Sequence, residues 1–377
     1  KVRLEEVCTK AQCVDIRKQT GFFNYIDIGS IDSASKRIST IQQIDCAKAS
    51  TRARQVIRKD DILFSTVRVN LERIAYVEND ISDGIASTGF TVLRSNGQIV
   101  PEYLFYAVIS PKFIENLIHL QKGTAYPAVT DKIVLNEEIF LPHPEEQKQI
   151  AYLFKAIENF ITHIEIQEEK IKSLQKILIN GLSGEESHFG NLLSENNTVQ
   201  IKFGEAAECI EKHDKEKRGL TRYVGLEDIE SGSFSIESWG NILDGTTFTK
   251  RFNTGDVLFG KRRSYLKKVA IADFDGICSG DILVFRAKEG KILPGLLPYC
   301  VASDAFIQHA VATSAGSLSP RTKWKDLKEF TVSMPDLQTQ GKVLDVFNQI
   351  QTVLNQIKDQ KGTLKTLKKN LLNEILG

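Results

Sequence analysis

The sequence predicts an α+β protein: two strand-rich domains joined by two long antiparallel coiled-coil helices, related by an internal pseudo-two-fold repeat. Three observations carry this. The chain has 377 residues, enough for two domains that each bury a core. Its second half repeats the first at a fixed offset. Each repeat closes on a long stretch of apolar residues at helical spacing.

Composition narrows the function classes. Apolar content of 41% and charged content of 26% suit a water-soluble globular chain, and no apolar run is long enough to cross a bilayer. No signal peptide opens the chain, and Lys1 in place of Met is read as the mark of a trimmed or processed chain. Cys8, Cys13, Cys46, Cys209, Cys278 and Cys300 show no C-x-x-C spacing and read as small core residues in a reducing, cytoplasmic setting. The formal net charge of +1 gives no hint of nucleic acid, although basic faces can be balanced by acidic helices elsewhere.

The repeat sets the domain plan. LPHPEEQKQIAYLFKAIENFITHIEIQEEKIKSLQKILINGLSG aligns without a gap on MPDLQTQGKVLDVFNQIQTVLNQIKDQKGTLKTLKKNLLNEILG, 193 residues later. Pro142 meets Pro335, Gln147 meets Gln340, Phe154 meets Phe347, and Gly184 meets Gly377. Upstream, YIDIGSID at Tyr25 resembles YVGLEDIE at Tyr223, and DILFS at Asp61 resembles DVLFG at Asp256. Arg68 then meets Arg263, and Gly123 with Pro127 meets Gly316 with Pro320. The expected domains are therefore 1–141, a helix over 142–184, a linker over 185–199, a second domain over 200–334 and a second helix over 335–377.

Within the domains, β-branched and aromatic runs predict strands at 62–66, 90–93, 257–259 and 282–285. The linker is rich in Ser, Asn, Gly and Glu. In the first helix, Ile150, Leu153, Ile157, Phe160, Ile164, Ile171, Leu174 and Leu178 form a heptad seam. Val343, Val346, Ile350, Val353, Ile357, Leu364, Leu367 and Leu371 form the second, in the same register. Gln167 and Gln360 fall on the seams, where a buried polar residue fixes register. Pro144 suits a first helical turn, Asp336 an N-cap, and Gly181 or Gly184 a helix end. About 33 residues at 1.5 Å each make a rod of about 50 Å, so the helices are expected to pair antiparallel rather than only cover their own domains.

Similar helices can present one surface twice, whereas dissimilar domains read two different things. Half-sites on one face of a DNA duplex lie about 34–36 Å apart, a distance such a rod can span. Basic residues cluster in the first domain at Lys36, Arg37, Lys48, Arg52, Arg54, Arg58, Lys59, Arg68 and Arg73. In the second they are Lys212, Lys215, Lys217, Arg218, Arg222, Lys250, Arg251, Lys261, Arg262, Arg263, Lys267 and Lys268. Phosphate contacts supply affinity and base edges supply specificity. Matched positions such as Arg68 and Arg263 are expected to serve framework or phosphate roles. Positions that differ are expected to read bases: Asn70 against Tyr265, and Thr124, Ala125 and Tyr126 against Ser317, Leu318 and Ser319.

No chemistry-bearing motif accompanies this plan. There is no P-loop or G-x-G-x-x-G, and no ligand spacing joins His119, His143, His163, His188, His213 and His309, so no metal site is expected. The aspartates of DILF and DVLF read as turn or capping residues.

The doubled order of LPHPEEQKQI and MPDLQTQGKV, DILFSTVR and GDVLFGKRR, and GTAYPAV and GSLSPRT resembles the specificity subunits of type I restriction–modification systems, over essentially the whole chain. The second helix opening departs from the pattern, with Asp-Leu-Gln-Thr-Gln in place of Pro-Glu-Glu-Gln. The resemblance implies two target-recognition domains reading a bipartite, asymmetric site on double-stranded DNA. It implies two methyltransferase subunits docked around the helices and carrying S-adenosylmethionine. Two ATP-dependent restriction subunits would join them, with no catalytic site or cofactor on this chain. Two other readings stay open here: a coiled-coil scaffold with protein-binding end domains, and a recognition module from a fused restriction–methylation enzyme.

Overall fold

A computed structural model describes residues 1–182 and 198–377, so Gly184, His188 and nearly all of the expected linker lie outside the described residues. Contacts divide the chain into two compact units, Lys1–Glu165 with Lys358–Gly377, and Ile166–Ile357. Each unit thus takes part of both long helices.

In the first unit, two four-stranded sheets stand on short elements. One sheet orders Gln42–Asp45, Phe22–Ile26, Gly84–Ser87 and Ala53–Val56. The other orders Cys8–Thr9, Phe90–Ser95, Ile62–Ser65 and Ile74–Tyr76. The strands expected near Ile62 and Phe90 are the two central strands of the second sheet, and Phe90 pairs with Ser65. Their side chains are buried on both faces, which explains continuous apolar runs where a half-exposed strand would alternate. Val2–Arg3 pairs with Glu138–Ile139 and closes the domain beside the central helix.

The second unit repeats the plan. Its sheets run Gly240–Asn241, Arg222–Val224, Gly276–Cys278, Lys250–Phe252, and Ala207–Cys209, Ile282–Ala287, Val257–Gly260, Val269–Ile271. In each unit one parallel pair sits in an otherwise antiparallel sheet, Gly84–Ser87 on Phe22–Ile26 and Gly276–Cys278 on Arg222–Val224. Thr198 and Val199, placed in the linker by composition, begin a strand, Thr198–Lys202, paired with Thr331–Pro335.

The central helix runs Pro144–Gly181 and the C-terminal helix Leu337–Leu376. Pro144 opens the first, and Asp336 caps the second by accepting from the Thr339 amide at 2.9 Å. In the first unit, Ala151, Phe154 and Ile157 from the start of the central helix share a core with Leu372 and Leu376 from the end of the other. In the second, Leu178, Ile179 and Leu182 meet Val343, Phe347 and Ile350. Start meets end in both units, so the helices pair antiparallel.

The seam is not the one the heptads predict. Ile157, Ile164 and Leu178 are buried as expected, and so are Val343, Ile350 and Ile357. Ile150, Ile171, Val346, Leu364 and Leu371 are half-buried. Leu153, Phe160, Leu174, Val353 and Leu367 are exposed, and so are Gln167 and Gln360, which therefore fix no buried register. The buried line also takes in positions off the predicted seam, Gln147, Ala151 and Phe154 in one helix and Gln340 and Phe347 in the other. Each helix covers its own domain as well as its partner, so the buried stripe follows two neighbours at once and shifts off the a/d positions.

Candidate nucleic-acid interface

The element that positions the candidate contact loop is a strained turn, built identically in both units. After Ile62–Ser65 the chain enters Arg68 in the left-handed region at φ 51°, makes one 3-10 turn over Val69–Leu71, and leaves through Glu72 at φ 49°. After Val257–Gly260, Arg263 and Lys267 do the same at φ 54° and 51°. Such values are uncommon for residues with a Cβ and mark a conformation held by its surroundings.

What holds it is the loop opposite. The Arg68 amide donates to the Pro127 carbonyl at 2.7 Å, its guanidinium to the Ala125 carbonyl at 3.2 Å, and the guanidinium lies 5.0 Å from the Tyr126 ring centre. The Arg263 amide donates to Pro320 at 2.9 Å, and its guanidinium to Leu318 at 3.4 Å. Bridges between Lys122 and Ala128, and between Ala315 and Arg321, pinch each loop at its base. Gly123 and Gly316 take φ +101° and +109°, and a Cβ there would crowd the Tyr126 or Ser319 carbonyl. Arg68 and Arg263 thus brace the loops, the framework role expected of matched positions.

The aspartates of DILF and DVLF anchor the same strands. Asp61 accepts the Arg58 amide at 2.8 Å and two Arg94 bonds at 2.7 Å, while Asp256 does so with Asn253 and Arg286. Their reading as turn-capping residues holds, although the arginine each one pairs with is not visible in the sequence. A second device is shared by both units: Gln147 links the Val100 amide to the Pro142 carbonyl, and Gln340 links the Leu293 amide to the Pro335 carbonyl.

Several predicted DNA contacts lie elsewhere or are already engaged. Lys250 is 4% exposed and bonded to Glu211 and the Ile282 carbonyl, so it is a core cation and no DNA contact. The Arg73 guanidinium is bonded to the Ile28 and Ile31 carbonyls. Lys36 bonds Glu72 at 2.6 Å, and burial holds its ammonium below the ordinary lysine pKa despite that partner. With Arg37 it lines a cavity of about 400 Å³ against Tyr106 and Glu158. Arg251 pairs with Asp214 and Asp275, and Lys267 with Asp304. A charge count along the sequence does not reveal that these cations already have partners.

The remaining positions stay open to solvent. Arg37, Arg52, Arg54, Asn70, Thr124 and Tyr126 are exposed in the first unit, and Lys212, Lys215, Arg263, Tyr265 and Ser317 in the second. Lys261, Arg262 and Ser319 are half-exposed. Arg262 and Arg321 converge on Asp281 at 3.2 and 2.7 Å, which holds that carboxyl below the usual aspartate range. Arg321 lies outside the basic clusters of the sequence, and Arg222, counted there only as a cation, stacks on Trp239 and Phe274 at 4.3 and 4.8 Å. A count of basic residues finds the Arg222 charge but not its aromatic partners, which lie 17 and 52 residues further on. Among the described residues no group of three His, Cys, Asp or Glu could hold a metal ion, and no helix is long and apolar enough to cross a membrane.

The doubled, braced framework has a counterpart. A family model described as the type I restriction modification DNA specificity domain matches the chain twice, over residues 1–176 and 200–367. The chain belongs to that family.

Its specificity-domain relatives are divergent. The chain is 24% identical over 301 residues to the EcoDI specificity subunit of Escherichia coli, an overlap of 70% of this chain and 66% of that one. The chain thus spans just under two thirds of that relative's length. It is 24% identical over 360 residues to the MjaVIII specificity subunit of Methanocaldococcus jannaschii, covering 84% and 83% of the two chains. Among solved structures it superposes on a chain from the study "Structural basis underlying complex assembly and conformational transition of the type I R-M system". That match has a TM-score of 0.68, covers 99% and 96% of the two chains, and has 24% identity. The HsdS subunit of Thermoanaerobacter tengcongensis matches at TM-score 0.51 and 27% identity, covering 99% and 95%.

Proposed function

We propose that this chain is the DNA-reading subunit of a type I restriction–modification complex, each unit reading one half of a bipartite, asymmetric target. The observation that carries the reading is the same arginine-braced turn and loop in both units, dressed with different exposed side chains. Asn70 stands where the other unit has Tyr265, and Thr124 and Tyr126 where it has Ser317 and Ser319. A common framework with changed contact residues suits two readers of different sequences. Arg52, Arg54, Lys212 and Lys215, all exposed, suit phosphate contacts.

The helices supply a second duplicated surface. Leu153, Phe160 and Leu367 are exposed in the first unit, and their counterparts in the second, Val346, Val353 and Leu174, are exposed or half-exposed. A repeated apolar set suits two copies of one partner. We assign it to two methyltransferase subunits, which would carry S-adenosylmethionine. ATP-dependent restriction subunits would join the complex in the cytoplasm. On this reading the chain selects the site and its partners perform the chemistry.

Methylation-sensitive sequencing of the host genome tests the proposal. The expected result is a split, non-palindromic adenine-methylation motif that disappears when this chain is deleted. Grafting a foreign domain in place of residues 1–141 should change one half of the motif and leave the other. A palindromic motif, or none, overturns the reading.

A further inference from the structure

Leu318 is 88% exposed and Tyr126 72% exposed, a large apolar surface for single side chains to present to water. They stand on the same loop of the two units, the loop braced by the left-handed arginines. Backbone strain of this type clusters at binding sites, where it fixes geometry in advance. The pinched base and the guanidinium bonds leave the loop little freedom to fold these side chains away.

Leu318 has no group that can donate to or accept from a base edge, so edge reading cannot account for it. A protein partner would favour a contiguous apolar patch. Here the loop presents one large side chain flanked by polar and basic residues. In the second unit Lys261, Arg262, Arg263 and Arg321 surround the loop, with Asp281 the carboxylate between Arg262 and Arg321. In the first, Arg68 covers one face of the Tyr126 ring, and Lys122 stands exposed at the loop base.

We propose that Tyr126 and Leu318 are apolar wedges that enter the base stack, one in each half-site. Proteins that kink DNA insert lone apolar side chains between base steps while neighbouring cations hold the phosphates. Local unstacking also lowers the cost of turning a base out of the duplex for a methyltransferase to act on. The inference rests on the DNA-reading function above and adds how the duplex is deformed.

The test uses the full-length chain and 30-base-pair duplexes, either fully paired or carrying one T·T mismatch moved stepwise from the centre to each end, at several salt concentrations. A mismatch has already lost stacking, so a wedge protein should bind it roughly tenfold tighter than the paired duplex. The double variant Tyr126→Ser with Leu318→Ser should lose that preference and keep the salt slope, because no phosphate contact is removed. Tyr126→Phe with Leu318→Met should retain it. Both positions are exposed, so the variants fold, which circular dichroism checks. The wedge is overturned if the wild-type chain binds both duplexes equally, or if the serine variant keeps the preference. It is also overturned if the serine variant binds DNA as wild type does but no longer copurifies with a methyltransferase subunit, which makes the loops a protein contact. Failure of the wild-type chain to bind any duplex instead sinks the DNA-reading function itself.

Discussion

The internal repeat offers its own control for the ion pair that ties the end of the C-terminal helix to the first unit. Lys368 donates to Glu158 at 2.6 Å, and the Tyr106 hydroxyl donates to the same carboxylate at 3.0 Å. Both charged side chains are only 19% exposed. At the matched positions of the second unit stand Gln351 and Gln175, with Tyr299 in place of Tyr106. Breaking a fully buried pair costs about 3–5 kcal/mol, and residual water access reduces that here to about 2–3 kcal/mol. Lys368→Gln and Glu158→Gln should each cost about that much. The double variant puts amides where the second unit has Gln175 and Gln351, of which Gln351 donates to Asn355 and the buried Gln175 Nε2 has no partner; with no charge left unpaired it should cost less than the two single variants together, about 2–3 kcal/mol in total. Hydrogen exchange over residues 358–377 is the suitable assay, because opening of the helix end is local. Each single variant should speed exchange there by about 30- to 150-fold, and the double by less than the two singles combined. Additive single and double effects would refute the reasoning, since the pair would then contribute no coupling.

Other expectations follow from the same geometry. Asp61→Ala removes the carboxylate that Arg94 bonds twice and leaves it only the Val56 carbonyl, so it should cost about 3–5 kcal/mol, against about 2 for Asp256→Ala, because Arg286 is 40% exposed and Arg94 only 19%; urea unfolding of the two variants measures the difference. Arg52→Ala and Arg54→Ala should each reduce the slope of log affinity against log salt by about 1, whereas Lys250→Met should destabilise the fold and leave that slope alone. Arg263→Ala should weaken binding to all sequences alike; a change confined to the preferred sequence would show that it reads bases. Asp281, held below its usual range first by Arg321, stabilises the fold above the unfolded aspartate pKa of about 3.9 and ceases to as pH falls through the folded value. Asp281→Asn should therefore be less stable than wild type near neutral pH and indistinguishable from it in strong acid, as thermal melts across pH would record.

The amino-acid order by itself determined the duplicated plan, the central strands and the two long helices. Each rests on signals local to a few residues: apolar runs, 3-4 spacing, Pro144 and Asp336 at helix starts, and the matched glycines of the loops. It also determined that Arg68 and Arg263 share a role, because matched sequence implies matched backbone. Only the tertiary structure decided which face of each helix is buried. Leu153 and Leu367 satisfy the heptad yet face solvent, because two neighbours rather than one set the buried stripe. It alone decided that Lys250 is internal, that the Arg73 guanidinium is already bonded and that Leu318 is exposed, because whether a cation is free depends on carboxylates and carbonyls tens of residues away. Local propensity is encoded along the chain, whereas burial and pairing depend on what folding brings beside each residue.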